Sequence, residues 1–299
     1  MRRLATYASA AVAGVLIGAK LTAYFFTDSV AMLSSLLDST IDLIAALVNI
    51  YGVASALRPP DHEHRFGHGK AEPLSALAQA AFIAGSSVLL GYEALSRFYH
   101  PHEIENVNFG YSVMMLAIIL SGALVWFQHY VVRRTGSMAI GADRLHYIGD
   151  LAINLAVVAA FAMYQGTHIT WFDPLFAIFI AGGLAYGAFH IAKHALNVLM
   201  DRELPDSDRE KIQAIVRAQP AVRGIHDLRT RFDGERAFVE FHLELDESMT
   251  LKAAHKIGDA IMDSIRSSFP NADVLIHQDP EGIDEPRLDE QIATRAAQK

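Results

Sequence analysis

The sequence has no cysteine. This excludes thiolate chemistry of every kind, from disulfide staples to Cys-ligated metals, and it fits a soluble part that works in a reducing compartment. Charge is sparse as well: Asp, Glu, Lys and Arg supply 19% of the 299 residues, against 52% hydrophobic residues and a mean hydropathy of +0.22. A soluble domain of this length carries more charge. The charge present is mostly negative, net −8, and acidic residues outnumber basic ones from Asp201 onward. The basic surface that a nucleic-acid binder needs is therefore missing. The HExxH pattern of zinc proteases is missing too, which argues against a membrane metallohydrolase.

What the chain does have is long apolar runs. Leu4 to Phe26, Val30 to Ala54, Leu74 to Leu95, Phe109 to Val132, Asp143 to Met163 and Trp171 to Leu196 each approach the ~20 residues that cross a bilayer as helix. They predict six transmembrane helices over residues 1–200. The first, "AAVAGVLIGAKLTAYFF", has no cleavage pattern after it and reads as a span rather than a signal peptide. Arginine and lysine are retained on the cytoplasmic side of short loops. With six spans one face receives Arg2, Arg3, Arg58, Arg65, Lys70, Arg133, Arg134 and Arg144, and the other receives Arg97. This predicts a multi-pass protein of the inner (plasma) membrane with both termini cytoplasmic.

Charge returns at "DRELPDSDREK", which sets a boundary at residue 201. The pattern beyond it predicts a cytoplasmic α+β domain, ferredoxin-like or metallochaperone-like, over 201–290: helix about 206–219, strand 223–232, strand 237–246, helix 250–268 and strand 272–278. The Asp-Gly of "FDGERAF" predicts a hairpin between the first two strands. From about 281 the chain is polar and reads as a frayed tail, with 291–299 outside the domain.

Two features carry chemistry. "SLLDSTIDLIAAL" places Asp38 and Asp42 four residues apart inside the second apolar run, on one helix face. A carboxylate at membrane depth costs several kcal/mol unless it meets a cation, a proton or a water-filled cavity. One of the pair serving as a cap or a structural hydrogen-bond acceptor is the plainer alternative. "ADRLHYIGDLAINL" repeats the device with His146 and Asp150 in the fifth run, and Asp143, one turn earlier, reads as interfacial. Three carboxylates and one imidazole, with no thiol to select copper(I), suit a four-coordinate divalent ion such as zinc. The second feature is the loop "DHEHRFGHGK", where Asp61, His64 and His68 lie close in sequence and Gly67 and Gly69 permit tight turns. A merely solvated polar loop is the competing reading.

The DxxxD of the second span, the HxxxD of the fifth, the segment "DHEHRFGHGKAEPLSALAQ", and "IHDLRTR" (225–231) with "LIHQDP" (275–280) together resemble the cation diffusion facilitator family, within it the bacterial ferrous-iron and zinc efflux transporters. The resemblance covers nearly the whole chain. It implies a homodimeric six-span secondary transporter, not an enzyme, that exports Zn2+, Fe2+ or Cd2+ in exchange for protons, with Asp38, Asp42, His146 and Asp150 as the transport site. It assigns Asp61, His64 and His68 to a second metal site. It also implies a binuclear zinc site at the dimer interface of the cytoplasmic domain, built from His226, His242, His255, His277 and Asp279, and a charge interlock between Lys70 and Asp201. In the residues themselves, His242 alternates with Phe241 and Leu243 on a strand, and Asp279 has two oxygens with which to bridge two ions. A membrane-bound metal sensor or storage scaffold would use the same ligands without transport.

Overall fold

The computed structural model describes residues 1–27, 30–99, 108–167, 171–284 and 286–298. His100, His102 and His168, which fall between the predicted spans on the side away from both termini, lie outside them. The chain forms two compact units, Met1–Leu196 and Asn197–Lys299.

Unit 1 is helical: α1 (Arg2–Thr27), α2 (Val30–Ala56), α3 (Ala71–Tyr99), α4 (Asn108–Thr135), α5 (Met138–Thr167) and α6 (Phe172–Leu199), whose last turn runs into unit 2. Among the described residues, five stretches are long and apolar enough to cross a membrane. They belong to α1, α2, α3, α4 and α6. α5 is 30 residues long but carries Asp143, Arg144, His146 and Asp150 in its first half. Large apolar side chains point outward along these helices, among them Phe25, Leu89, Trp126 and Phe179, each at least 70% exposed. A water-soluble bundle would bury them, whereas lipid is their natural solvent.

Small residues and polar ties fix how the helices meet. Gly52 of α2 faces Ser75 of α3 so closely that an added Cβ would overlap the serine side chain, and Gln79 Nε2 of α3 donates to the Ala45 carbonyl at 2.8 Å. The Gly183/Gly187 spacing in α6 is used at one position: Gly187 packs against Leu145, while Gly183 faces open space. α4 and α5 form a tight hairpin, because Gly136 adopts a left-handed φ of 63° and ends α4 with an N–H to the Val132 carbonyl. Asp143 is not interfacial. It is 2% exposed, accepts from Gln128 Nε2 at 2.7 Å and from Ser9 Oγ, and so ties α1, α4 and α5 together. The cause is that α5 begins at Met138, five residues before the apolar run, which places Asp143 in the second turn.

Unit 2 is a small α+β domain: α7 (Asp206–Arg217), β1 (Gly224–Phe232), β2 (Ala237–Leu245), α8 (Leu251–Ser268), β3 (Asp273–Pro280) and α9 (Leu288–Ala297). β1 and β2 pair antiparallel through the Asp-Gly turn, and β2 pairs parallel with β3. Val239, Phe241, Leu243 and Leu245 alternate onto the buried face of β2, where Ile212 and Val216 of α7 and Ile261 and Ile265 of α8 complete the core. Glu240, His242 and Glu244 therefore share the opposite face of the sheet.

The frayed-tail expectation fails for 288–297, which are helical. The cap comes from far away in sequence. Asp227, at a left-handed φ of 50°, accepts the N–H groups of Leu288 at 2.8 Å and Asp289 at 2.9 Å, and its own N–H donates to the Asp289 carboxylate. These bonds satisfy two of the donors that open a helix.

Candidate metal centres

In unit 1, α2 and α5 bring Asp42, His146 and Asp150 together, with ligand atoms within 4.8 Å of one another. His146 Nε2 lies 2.9 Å from Asp42 Oδ1 and 3.7 Å from Asp150 Oδ2. The group lines a cavity of about 510 Å³ among α1 to α6. Asp38, one turn earlier on α2, lines the same cavity but stands apart from the three-residue cluster. Two carboxylates and an imidazole at this spacing present hard oxygen and borderline nitrogen to one cation. Two charged residues of this cavity were not singled out from sequence: Lys20 of α1 and Glu93 of α3. A lone lysine inside an apolar span was the available signal.

The loop between α2 and α3 folds around Asp61. Its Oδ1 accepts the N–H of His64 at 2.7 Å and of Glu63 at 3.0 Å. These bonds, the His64 N–H foremost, hold the Asp61 carboxyl below its usual range and so keep it ionised. His64 Nδ1 and His68 Nε2 each lie 3.4 Å from a carboxylate oxygen, and Gly67 takes a left-handed φ of 85° that turns His68 back toward them. The buried Nδ1 of His68 has no hydrogen-bond partner among the described residues. All three predicted loop residues therefore converge.

In unit 2, His226, His242 and His277 stand in register across all three strands, with neighbouring ring centroids 4.9 and 4.7 Å apart. A β-bulge between His226 and Arg229 sets that register. Were the hairpin register to continue through the same sequence without a bulge, Asp227 would oppose His242 and His226 would turn to the other face. Asp279 lies beside the row at 7% exposure: Oδ2 is 2.8 Å from His242 Nδ1 and 3.9 Å from His226 Nε2, and Oδ1 is 3.1 Å from His277 Nε2. His226, His242 and Asp279 form a ligand group within 4.8 Å, a donor set of two imidazoles and a carboxylate that fits zinc with a fourth position left over. His255 is not gathered into this group. It sits on the exposed side of α8, 70% exposed and 3.4 Å from Asp259. Glu244, which the sequence reading passed over, lies 3.0 Å from His226 Nδ1 and accepts from Arg287 at 2.7 Å. Asp201 lies 3.4 Å from Arg231.

Comparison with known proteins matches residues 6–200 to the cation efflux transmembrane domain and residues 204–281 to the cytoplasmic domain of cation efflux proteins. A cation-efflux pump FieF of Shewanella oneidensis is 43% identical over 278 residues, 93% of this chain and 94% of that protein. The pump of the same name from Klebsiella pneumoniae subsp. pneumoniae is 41% identical over 280 residues, 93% of each. Protein p34 of Rickettsia rickettsii is 38% identical over 282 residues, 94% of this chain and 93% of that protein. Among solved structures, the metal-bound C-terminal domain of the CzcD transporter from Thermotoga maritima is 30% identical, spans 26% of this chain and 93% of that one, and superposes with a TM-score of 0.26. The relatives named as pumps are transporters, not enzymes. Matched in both of its units and aligned with efflux pumps over 93% of its length, the chain belongs to the cation efflux family, the cation diffusion facilitators.

Proposed function

We propose that the protein is a homodimeric, proton-coupled antiporter that exports Zn2+, Fe2+ or Cd2+ from the cytoplasm by alternating access, with both termini cytoplasmic. The observation that carries this reading is the convergence of Asp42, His146 and Asp150 in a cavity among membrane-spanning helices. With Asp38 they are the proposed transport site. Carboxylates and imidazole bind metal only when deprotonated, so each ion that enters displaces protons and each proton that returns weakens the hold on the ion. Antiport then needs no separate proton path. His146 is the donor whose ordinary titration range lies nearest neutrality, and we assign it the switching proton.

The cytoplasmic site is assigned a regulatory and stabilising role. His226, His242 and Asp279 would hold one zinc, while His277 and the second oxygen of Asp279 would start another. An exposed His255 from a second copy is suited to complete it. Metal there biases the dimer only if it binds the two transport states with different affinity. The loop triad Asp61, His64 and His68 is proposed as a further cation site, and Lys70 with Asp201 as the interlock of the membrane and cytoplasmic units.

The test is metal uptake into vesicles reconstituted with the purified protein, under an imposed pH gradient, with each metal in turn. Uptake that scales with the gradient and collapses with a protonophore is expected. Saturable binding with no response to the gradient would favour a sensor or storage scaffold.

A further inference from the structure

The transport cavity contains an ammonium that no ligand scheme uses. Lys20 lines it from α1, together with Asp38 and Asp42 of α2 and Asp150 of α5. Its Nζ donates to Ser39 Oγ at 2.7 Å, and Ser39, itself 1% exposed, lies in sequence between Asp38 and Asp42. The ammonium is thereby fastened to the helix that carries half of the proposed ligands.

Charge decides what this placement does. Glu93 also lines the cavity, but Arg97 Nε holds its carboxylate at 3.0 Å, and Arg97 is anchored to Asp173 of α6 at 2.6 Å. His146 must be neutral to bind metal. Among the described residues that line the cavity, Lys20 is the one lysine or arginine, set against four carboxylates, Asp38, Asp42, Glu93 and Asp150, and the Arg97 guanidinium that steadies Glu93 is shared with Asp173. Without Lys20 the loaded cavity would carry one more uncompensated negative charge at membrane depth, an arrangement that favours holding the cation over letting it go.

We propose that Lys20 is the charge-setting residue of the transport site: a tethered cation that lowers the negative charge of the cavity and, by repelling the transported ion, speeds its release. The inference rests on the proposed transport site. Removing one unit charge from the wall of the cavity, at about 10 Å or less from an ion in surroundings of intermediate dielectric, changes ion affinity by about tenfold.

The experiment uses the full chain in proteoliposomes with Zn2+ and with Cd2+. Lys20→Gln keeps a hydrogen-bonding partner for Ser39 and removes the charge, whereas Lys20→Arg keeps the charge. For Lys20→Gln the expected result is a KM lowered about tenfold together with a kcat lowered by a similar factor, so that kcat/KM changes little. Lys20→Arg should keep the wild-type pair of values. A helix tie alone would lower kcat or yield without tightening KM, so an unchanged or raised KM in folded Lys20→Gln dimers overturns the proposal, as does an arginine variant that behaves like the glutamine one. Should Lys20→Gln not assemble, Lys20→Met is read by the same criteria. Asp150→Asn, run in parallel, separates the two layers. Flux indifferent to Asp150→Asn defeats the transport-site reading, while flux that needs Asp150 but ignores the charge at Lys20 defeats the role of Lys20 alone.

Discussion

Asp279→Ala should weaken two metal ions with one substitution. Its Oδ2 serves His242 and His226, and its Oδ1 serves His277, so a single carboxylate belongs to both nitrogen sets. Loss of a partner that merely supports a ligand typically costs 10- to 100-fold in metal affinity, so losing a directly ligating carboxylate should cost at least ~100-fold, about 3 kcal/mol, for each ion. His226→Ala removes an imidazole that lies near only one oxygen of Asp279 and should weaken mainly one ion. The assay is calorimetric titration of residues 197–299, the second compact unit, with Zn2+. Far-ultraviolet circular dichroism would establish that α7, α8 and the sheet persist in each variant. The wild-type fragment should bind zinc and dimerise more tightly with it. Asp279→Ala binding with unchanged stoichiometry and a Kd within about threefold of wild type would refute the shared-carboxylate reasoning.

Asp38→His exchanges an oxygen donor for imidazole on the cavity wall and should raise zinc flux relative to iron(II) or manganese in vesicle uptake; an unchanged metal profile would place selectivity elsewhere. Asp227→Ala deprives α9 of its remote cap, at a cost of about 1 kcal/mol, and should speed amide exchange at Leu288 and Asp289. Acidification should act in the same direction: burial pushes the Asp227 carboxyl up, but the N–H groups of Asp289 and Leu288 bring it below its usual value. The docked helix is therefore fully supported above the ordinary aspartate range and loses that support as pH falls through the lowered value. Gly52→Ala forces a methyl onto Ser75 and should destabilise the membrane unit by roughly 1–3 kcal/mol in thermal unfolding in detergent, whereas Gly183→Ala, facing open space, should be near neutral.

How much of this was legible in the sequence depended on whether the cause lay nearby along the chain. The long helices were readable because each apolar run carries its own signal. The Asp42, His146 and Asp150 cluster was readable because ionisable residues at membrane depth demand a reason. α9 was not, because its capping group is Asp227 on β1 and no local residue announces it. The histidine row was visible as types and spacing, yet its alignment depends on the bulge after His226, which alternation alone would not locate. Asp143 was misread because its setting is made by Ser9 and Gln128 on two other helices. Lys20 was overlooked inside a span judged by its apolar average.

The central claim is that Asp42, His146 and Asp150 hold the transported ion, and the most direct measurement is zinc uptake by proteoliposomes carrying Asp42→Ala or Asp150→Ala, with dimer content checked by size-exclusion chromatography. Each variant removes one ligand from the three-residue cluster. Uptake should fall to the level of protein-free vesicles while the dimer and the metal binding of the cytoplasmic unit persist. Uptake near the wild-type rate by either variant would contradict the account.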